Sequence, residues 1–287
     1  ENLYDSMRYS VLSSGKRVRP HIVFEFSRLF GGNDEKALKF ACAVEMLHAS
    51  SLVHDDMPCI DNDDMRRGKP TTHKAYGEGV ALFCGDALMY KAAEVASTND
   101  KVGEKFALKA TELLLKYGGG EGIIGGQIID LESENKKVPF DTLLKMHALK
   151  TAALIKTSAL LGCLAAEVDI DDDRCKDAAK YAEAIGLTFQ ITDDILDADT
   201  EDGKTNFLSF MSIDEAMDYA KKETKKDTKK DTGTTTKATG KTSTDPEKNP
   251  QSTKPNAKAS YTSGKSNNYH DDGNGTVTTY SGKQLKY

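Results

Sequence analysis

Hydrophobic residues recur at steps of three and four along the first two thirds of the chain. The pattern is clearest in four stretches, at residues 23–30, 41–48, 108–115 and 154–160. This spacing places the apolar side chains on one face of an α-helix. Glycine, asparagine and proline cluster between such stretches, as in Gly31-Gly32-Asn33, and predict the breaks between helices. Strand-like alternation with turn pairs is missing there, so we predict an all-α domain.

The composition changes sharply near residue 223. Residues 224–287 are rich in Thr, Lys, Ser, Gly and Asn and contain few apolar side chains. Such a segment cannot bury enough apolar surface to offset the entropy lost on ordering. We therefore predict a helical domain at 1–223 and a polar tail at 224–287, either disordered or appended. A short hairpin around Asn274-Gly275, leading into residues 277–280, is the local structure expected in the tail.

Charge and cysteine usage narrow the class of protein. The net charge of −6 argues against a nucleic-acid binder driven by bulk charge. The five cysteines are scattered without a CxxC pair, which is typical of reduced thiols. No apolar run appears long enough for a membrane span and the N-terminus lacks a signal-peptide pattern, so we expect a soluble, cytoplasmic protein.

Two acidic clusters lie within the helical pattern. They consist of Asp55, Asp56 and Asp61, and of Asp193, Asp194 and Asp197. Carboxylates this close raise one another's pKa unless a cation lies between them. Oxygen ligands without an organised His/Cys set favour Mg²⁺, which binds through a few carboxylates together with substrate phosphates. The two clusters together predict a Mg²⁺ site that receives a phosphorylated substrate.

Each cluster has its own expected geometry. On a helix, Asp193 and Asp197 are one turn apart and share a face. The alternative is a solvated acidic face, but the apolar neighbours of this cluster indicate a largely buried helix. In the first cluster, Asp61 would lie on a different side of a straight helix from Asp55. Pro58 interrupts that helix, which would allow Asp61 to turn back towards Asp55.

Positive charge accompanies the acidic clusters. Lys16, Arg17 and Arg19 lie within four residues, and Arg66-Arg67 follows the first cluster. Arginine forks bind diphosphate oxygens through two parallel hydrogen bonds. The alternatives are a solvated helix end at residues 16–19, and pairing of Arg66-Arg67 with the adjacent Asp63 and Asp64. Cations and acidic clusters within one helical domain favour a site for a diphosphate with Mg²⁺.

At these residues the sequence closely resembles the trans-prenyltransferases, the isoprenyl diphosphate synthases such as farnesyl and geranylgeranyl diphosphate synthase. The resemblance is collinear from about residue 3 to residue 223. Its motifs are Gly15-Lys16-Arg17-Val18-Arg19-Pro20, Glu45-Met46-Leu47-His48, residues 52–71, Gly85-Asp86-Ala87-Leu88, Gly125-Gly126-Gln127, His147-Ala148-Leu149-Lys150-Thr151, and Gly186-Leu187-Thr188-Phe189-Gln190 followed by Asp193-Asp194-Ile195-Leu196-Asp197.

The resemblance implies an isoprenoid-synthase-type helical bundle around a central cavity, usually a homodimer. It implies that Mg²⁺ is bound by Asp55, Asp61 and Asp193, with Asp56, Asp194 and Asp197 in support. The residues implied to contact the allylic diphosphate are Arg66, Lys150, Thr151, Gln190 and Lys204. Those implied to bind isopentenyl diphosphate are Lys16, Arg17, Arg19, His48 and Arg67. The implied catalytic residues are Asp55, Asp61, Asp193, Lys150 and Lys204.

The implied reaction joins isopentenyl diphosphate to a dimethylallyl, geranyl or farnesyl diphosphate, giving geranylgeranyl or farnesyl diphosphate and pyrophosphate. A terpene cyclase shares the fold and the paired acidic motifs but needs no isopentenyl diphosphate site, and the cations at 16–19 with Arg67 favour elongation. A non-catalytic subunit of a heteromeric prenyl synthase is the other alternative. Such subunits tend to lose the aspartates, whereas both motifs are complete here.

The residues one turn before Asp55 bear on product length, and two segments of the chain differ from the family pattern. Farnesyl-type enzymes often place an aromatic residue one turn before the first aspartate, where this chain has Ser50 and Ser51, with Leu47 below. We favour geranylgeranyl diphosphate, with farnesyl diphosphate close behind; the alternative is that the serines serve close helix packing. The loop at 198–203 is shorter than in the family, and residues 224–287 do not resemble its C-terminal helices.

Overall fold

A computed structural model describes residues 1–196 and 205–226, together with three short strands near the C-terminus. Through residue 226 the described chain is a helical bundle, which confirms the predicted all-α class. The helices are α1 (Asn2–Val11), α2 (Val18–Leu29), α3 (Asp34–Asp55), α4 (Thr72–Tyr76), α5 (Glu78–Ser97), α6 (Glu104–Gly118), α7 (Ile123–Ser133), α8 (Phe140–His147), α9 (Ala153–Ala165), α10 (Asp173–Leu196) and α11 (Ile213–Lys226). A two-residue antiparallel pair, β1 (Met65–Arg66) and β2 (Lys69–Pro70), precedes α4.

The helix boundaries follow the expected signals. Helix α3 begins directly after Gly31-Gly32-Asn33, where the Asn33 side chain accepts a hydrogen bond from the backbone N–H of Lys36 at 3.0 Å. Asp34 and Glu35 occupy the first turn of α3, where negative charge complements the helix dipole. This capped start leads into the long helix that carries the first acidic cluster at its other end.

Helix α9 lies at the centre of the bundle. All its residues except Lys156 are buried, and α2, α3, α6 and α10 pack around it. The surrounding core includes Phe40, Leu114 and Leu161, each almost fully shielded from solvent. Full burial of an apolar side chain of this size stabilises the fold by about 1.5–3 kcal/mol. The stretches whose spacing predicted helices therefore supply part of the core, although Leu29, Leu108 and Leu115 within them are exposed.

The helical run Phe140–Ala165, from α8 to α9, is long and apolar enough to cross a membrane by length and composition. It is the single such stretch among the residues that the structure describes, and it qualifies the expectation that no apolar run approaches a span. In its most apolar window, 72% is buried inside the bundle. Core helices of soluble proteins pass the same test, so the finding is weak evidence of a membrane span.

A π-helical turn, Ala148–Ala152, connects α8 to α9. A π-turn inserts one extra residue into a helix, and such turns are frequent at functional sites because they redirect side chains. Here the turn contains Lys150 and Thr151, two of the predicted substrate-binding residues. Helices α7 and α10 both pack against it.

Close packing between α3 and α5 positions the end of α3. The hydroxyl of Ser50 donates to the carbonyl of Gly85 at 2.8 Å, and a Cβ at Gly85 would overlap the ring of His54. His54 Nε2 lies 3.3 Å from the carbonyl oxygen of Leu82 and 3.5 Å from Asp86. The absence of a side chain at Gly85 therefore lets the residue before Asp55 lie directly on α5.

A second apolar cluster joins the C-terminal helices to the bundle. It contains Leu143, Ile191, Phe207 and Ala216, which come from α8, α10, a 3₁₀ turn (Phe207–Ser209) and α11. Helix α11 continues to Lys226, past the predicted domain boundary at residue 223. The cluster places the 3₁₀ turn against the end of α10, beside the second acidic cluster.

The chain divides into two compact units, Glu1–Asp231 and Thr232–Tyr287. In the second unit, β3 (Tyr269–Asp271), β4 (Thr276–Thr279) and β5 (Gln284–Lys286) form an antiparallel sheet in that order, with Asp271 opposite Val277. The predicted turn at Asn274-Gly275 falls between β3 and β4 but lies outside the described residues. Residues 227–268 of the polar tail predicted at 224–287 also lie outside the described residues.

Candidate active site

The first acidic cluster is built by the end of α3 and the turn that follows. Helix α3 ends at Asp55, and the backbone N–H of Asp61 donates to the carbonyl of Asp55 at 2.9 Å. Asn62 adopts a left-handed backbone conformation with φ of 52° and donates its N–H to the carbonyl of Met57. The turn therefore brings Asp61 back towards Asp55, as expected from the interruption at Pro58.

Asp55 is a partly buried carboxylate with a cation close by. Burial raises its pKa, the charge of Lys150 opposes that effect, and Asp61 raises the pKa further. A cation that binds beside such a carboxylate stabilises its ionised form. The first cluster therefore places two carboxylates, Asp55 and Asp61, where a divalent cation would relieve their repulsion.

Asp56 has a different environment, since its exposed fraction is only 3%. It accepts a hydrogen bond from Nε of Arg66, and Nη2 of the same arginine donates to Asp63 Oδ2 at 3.1 Å. Burial raises the pKa of Asp56 to about 6, although the charge of Arg66 acts in the opposite direction. The pairing of Arg66 with Asp63 that the sequence left open is thus present, whereas Asp64 pairs with Lys74 at 2.7 Å. Asp56 and Arg66 anchor the turn to the end of α3.

The second acidic cluster is also divided between two environments. Asp193 is partly buried and lies close enough to Arg19 to act on the pKa of that residue. Asp194 is buried and accepts hydrogen bonds from Nε2 of Gln190 and from the backbone N–H of Phe207, both at 2.9 Å. Asp194 thereby ties the 3₁₀ turn to α10. The predicted site residues Asp197 and Lys204 lie outside the described residues.

Three predicted residues for isopentenyl diphosphate converge in the structure. Nη1 of Arg19 lies 3.3 Å from Nε2 of His48, and Nη2 of Arg67 lies 3.5 Å from the same atom. Within the part of the chain that the structure describes, the buried Nε of Arg19 has no hydrogen-bond partner. Burial lowers the pKa of Arg19 to about 10, and burial followed by the nearby arginines lowers that of His48 well below its usual value. Two guanidinium groups facing a neutral imidazole form a site that an anion would complete.

Arg17 belongs to the same sequence motif but has another set of contacts. It adopts a left-handed conformation, with φ of 51°, at the start of α2. Its guanidinium donates to the buried carboxylate of Glu45 and to the backbone carbonyls of Val11 and Ser13. These contacts hold the connection between α1 and α2 against α3. Lys16, the first residue of the motif, is exposed.

Three of the five residues predicted for the allylic site, Lys150, Thr151 and Gln190, lie on the π-turn and α10, whereas Arg66 lies on β1. Nζ of Lys150 donates to Asp130 Oδ2 at 2.5 Å, and the hydroxyl of Thr151 donates to Gln190 Oε1 at 3.0 Å. Through its amide group, Gln190 also contacts Asp194. A cavity of about 140 Å³ lies beside these contacts, and its lining includes Asp130, His147, Lys150, Gln190, Asp194 and Asn206.

Asp130 is a residue of this cavity that the sequence predictions missed. It lies on α7, three residues after Gln127 in the Gly125-Gly126-Gln127 motif. Residues four apart on a helix share a face, so the proximity of Gly126 to the π-turn could have pointed to Asp130. The missing information was the packing of α7 against the turn, which no local pattern specifies.

The donors fit Mg²⁺ bound together with a diphosphate. Among the described residues, no group of three or more His, Cys, Asp or Glu side chains is arranged to hold an ion by itself. Mg²⁺ keeps several waters and binds through one or two carboxylates plus phosphate oxygens, so it needs no such group. The carboxylates of Asp55, Asp61 and Asp193 are donors of the type that Mg²⁺ binds in this way. Asp56 and Asp194 accept hydrogen bonds from Arg66, Gln190 and the backbone of Phe207.

His147 predicts a pH dependence of stability. It is buried, its ring stacks on Phe207 with centroids 5.2 Å apart, and burial lowers its pKa from 6.5 to about 4. The unfolded chain takes up a proton between these pH values and the folded chain does not. The free energy of unfolding should therefore fall, by up to about 3 kcal/mol, as the pH is lowered from 7 towards 4.

Urea unfolding of the wild type and of His147→Phe at pH 7 and pH 4.5 checks this prediction. Phenylalanine keeps the stacking but cannot ionise, so the variant should lose less stability on acidification. Asp56, with its raised pKa, acts with the opposite sign in both proteins and cancels in the comparison. Equal losses in the two proteins would show that His147 does not contribute.

Comparison with known proteins agrees with the resemblance seen in the sequence. A family model of polyprenyl synthetases matches residues 1–238, which extends past the resemblance seen in the sequence. The chain is 41% identical over 235 residues to a chloroplastic geranylgeranyl pyrophosphate synthase of Catharanthus roseus, covering 77% of this chain and 65% of the relative. It is 36% identical over 231 residues to farnesyl diphosphate synthase of Bacillus subtilis (strain 168), covering 75% and 77%.

The solved structures include similar proteins. The apo structure of an FPP/GFPP synthase from Zymomonas mobilis matches with a TM-score of 0.73 and 38% sequence identity, covering 79% of this chain and 81% of that one. The chain spans less than two thirds of the length of the Catharanthus roseus relative. Both the sequence and the fold of this chain are therefore similar to those of prenyl diphosphate synthases.

Proposed function

The chain belongs to the polyprenyl synthetase family, and we propose that it elongates prenyl diphosphates. In this reaction an allylic diphosphate loses pyrophosphate, and its allylic carbon forms a bond to the double bond of isopentenyl diphosphate. The identity to geranylgeranyl and farnesyl synthases supports this reaction class. The presence of two cationic groups near the aspartates, Arg19 with Arg67 and separately Lys150, supports it independently.

The observation that carries the proposal is the group formed by Arg19, Arg67 and His48. Arg19 is partly buried, its solvent-shielded Nε has no hydrogen-bond partner among the described residues, and burial lowers its pKa. Burying a guanidinium beside another one is costly unless an anion binds there. This group is distinct from Lys150, whose charge acts on Asp55 and Asp61. Two separate cationic groups fit two diphosphates, whereas a terpene cyclase needs only one.

The aspartates and the two cationic groups have different roles in the proposed reaction. Asp55, Asp61 and Asp193 would hold Mg²⁺, which neutralises charge developing on the departing diphosphate. Lys150 stabilises the same charge through its ammonium group. Arg19 and Arg67 hold the diphosphate of isopentenyl diphosphate, so its double bond faces the allylic carbon. We assign the proton lost in the last step to the released pyrophosphate.

A direct assay tests the reaction. The chain is incubated with Mg²⁺, isopentenyl diphosphate and geranyl diphosphate, and the products are separated by chain length. Elongated diphosphates are expected. Cyclic hydrocarbons would instead support a terpene cyclase, and a lack of turnover would support a non-catalytic subunit of a heteromeric synthase. A reaction without Mg²⁺, containing a chelator, is the control and should give no product.

The structure bears on product length through Ser50 and Leu47. Ser50 is buried against Gly85, which is the close helix packing left open as the alternative. Leu47 lies eight residues before Asp55, or about 12 Å along the helix. It borders an apolar cavity of about 110 Å³ with Met89, Leu114 and Gly118 among its lining. We propose that the growing tail follows α3 towards this cavity and that geranylgeranyl diphosphate is the product.

Replacing Leu47 with phenylalanine should shift the product towards farnesyl diphosphate. The larger ring would occupy cavity volume at that depth of the helix, so a longer prenyl tail would no longer fit. Chain-length analysis of the products measures the shift, and Leu108→Phe, on an exposed position of α6, is the control. An unchanged distribution would place the floor elsewhere. Ser50→Tyr is a less direct test, because tyrosine there would first overpack the contact with Gly85.

We also propose that a second copy of the chain covers an exposed apolar face. Phe83 and Tyr90 on α5 have exposed fractions of 65% and 79%, and with Val80, Ala87 and Leu3 they line one groove. Contiguous exposed apolar surface of this kind marks association sites, and two-fold homodimers are the commonest assemblies. Sedimentation should show a dimer for the wild type and a monomer for Phe83→Asp. A monomeric wild type would exclude this assembly.

A further inference from the structure

We propose that Asp130 is a positioning residue that aims Lys150 at the allylic diphosphate. The inference deepens the proposed function and depends on it. Asp130 Oδ2 accepts a hydrogen bond from Nζ of Lys150 at 2.5 Å. The two side chains are only 20% and 26% exposed, and both line the cavity between α7, the π-turn and α10. The contact therefore belongs to the cavity itself and not to the outer surface.

The backbone of α7 also contacts Lys150. A Cβ at Gly126 would overlap the backbone nitrogen and Cα of Lys150, so the helix can approach the π-turn this closely only with glycine. Asp130 lies one turn further along α7, on the same face. Helix α7 thus sets the place of Lys150 twice, through the backbone at Gly126 and through the side chain at Asp130.

The charges explain why Lys150 needs a partner of this kind. Burial lowers the pKa of Lys150, but Asp130, Asp55 and Asp61 together outweigh burial and raise it. Lysine has a flexible stem and three equivalent donors, unlike the rigid fork of arginine. Without Asp130, the ammonium would be drawn to Asp55 and Asp61, the carboxylates proposed for Mg²⁺. With Asp130 accepting one hydrogen bond, two donors are left for diphosphate oxygens.

A set of variants tests the role by steady-state kinetics. Asp130→Ala should lower kcat/KM for geranyl diphosphate by about 100-fold, as is typical when a partner that orients a functional group is removed. The KM for isopentenyl diphosphate should change less than about twofold, because Arg19 and Arg67 are untouched. Asp130→Asn retains an oxygen acceptor and should recover activity to within about tenfold of the wild type. Glu132→Gln, at an exposed position of the same helix, is the matched control and should equal the wild type.

A double-mutant cycle separates positioning from a general structural effect. If Asp130 acts through Lys150, Asp130→Ala should lower activity by less than about twofold in a Lys150→Ala background. The Mg²⁺ concentration for half-maximal rate should be the same in Asp130→Asn and the wild type, within about twofold. Additive effects in the cycle, or a large shift in the Mg²⁺ requirement, would overturn the proposal. Circular dichroism and urea unfolding of every variant report whether the fold is retained.

The outcomes distinguish this inference from the proposed function. If the wild type forms no elongated product, the proposed function fails, and this inference fails with it. If the wild type and Glu132→Gln are active and Asp130→Ala matches them, only the positioning role is wrong. Loss of activity in Asp130→Ala with partial recovery in Asp130→Asn and a non-additive cycle would establish it.

Discussion

Replacing Asp55 with alanine is expected to reduce turnover by at least about 10³-fold without loss of the helical fold. Asp55 ends α3 and has Asp61 folded back towards it. Burial raises the pKa of Asp55, so its ionised form costs folding free energy in the absence of a cation. Removing the carboxylate should therefore leave the free energy of unfolding unchanged or higher. Activity and stability would move in different directions, as is common for residues kept for function.

Asp56→Ala is the matched control, since it removes the neighbouring carboxylate. Burial raises the pKa of Asp56 as well, but Asp56 is paired with Arg66, and removing one member of a buried ion pair leaves the other without its partner. This loss outweighs the relief of burial and should lower stability by about 1–3 kcal/mol. Product formation per time and urea unfolding, measured on both variants, check the contrast. Asp193→Ala should behave like Asp55→Ala. Near-normal turnover in both Asp55→Ala and Asp193→Ala would contradict the proposed reaction.

The sequence was sufficient to predict the helices and the two acidic clusters. Hydrophobic spacing depends on helix geometry alone. The stretches at 23–30 and 154–160 therefore predicted α2 and α9 without information on the helices that pack against them. The interruption at Pro58 and the return of Asp61 towards Asp55 were also predictable, because proline acts on the local backbone.

What the sequence could not show was the direction of individual side chains within each motif. Asp55 and Asp56 are adjacent, yet only Asp56 is bound by an arginine of the following turn. Arg17 and Arg19 are two residues apart, and a left-handed conformation at Arg17 sends its guanidinium to Glu45. These differences depend on turn geometry and tertiary packing, which residue spacing does not contain.

Asp130 escaped prediction for the same reason. Its significance comes from the π-turn, which presents Lys150 towards α7, and from the close approach at Gly126. A π-turn has no sequence signature comparable to a cap or a proline, since it is stabilised by the packing around it. The helical pattern through residues 140–165 continues across the turn without interruption.

Replacing Arg19 with methionine is expected to weaken isopentenyl diphosphate binding by about 10- to 100-fold, which corresponds to the loss of charge-assisted hydrogen bonds. Methionine fills much of the volume of the arginine stem but carries no charge. Because Arg19 is partly buried beside Arg67 and its shielded Nε lacks a partner among the described residues, the variant should be as stable as the wild type or more stable. Calorimetric titration with isopentenyl diphosphate measures the affinity directly.

Arg17→Met is the matched control for this prediction, because it makes the same change two residues earlier. Arg17 is bound to the buried Glu45 and to two backbone carbonyls, so its loss should lower stability by about 1–3 kcal/mol and leave the affinity of the folded protein nearly unchanged. Equal loss of affinity in both variants would place Arg17 in the binding site with Arg19. Unchanged affinity in Arg19→Met would remove the group of Arg19, Arg67 and His48 as a diphosphate site. In that case one cationic group would remain, and the terpene cyclase would become the better explanation of the paired aspartates.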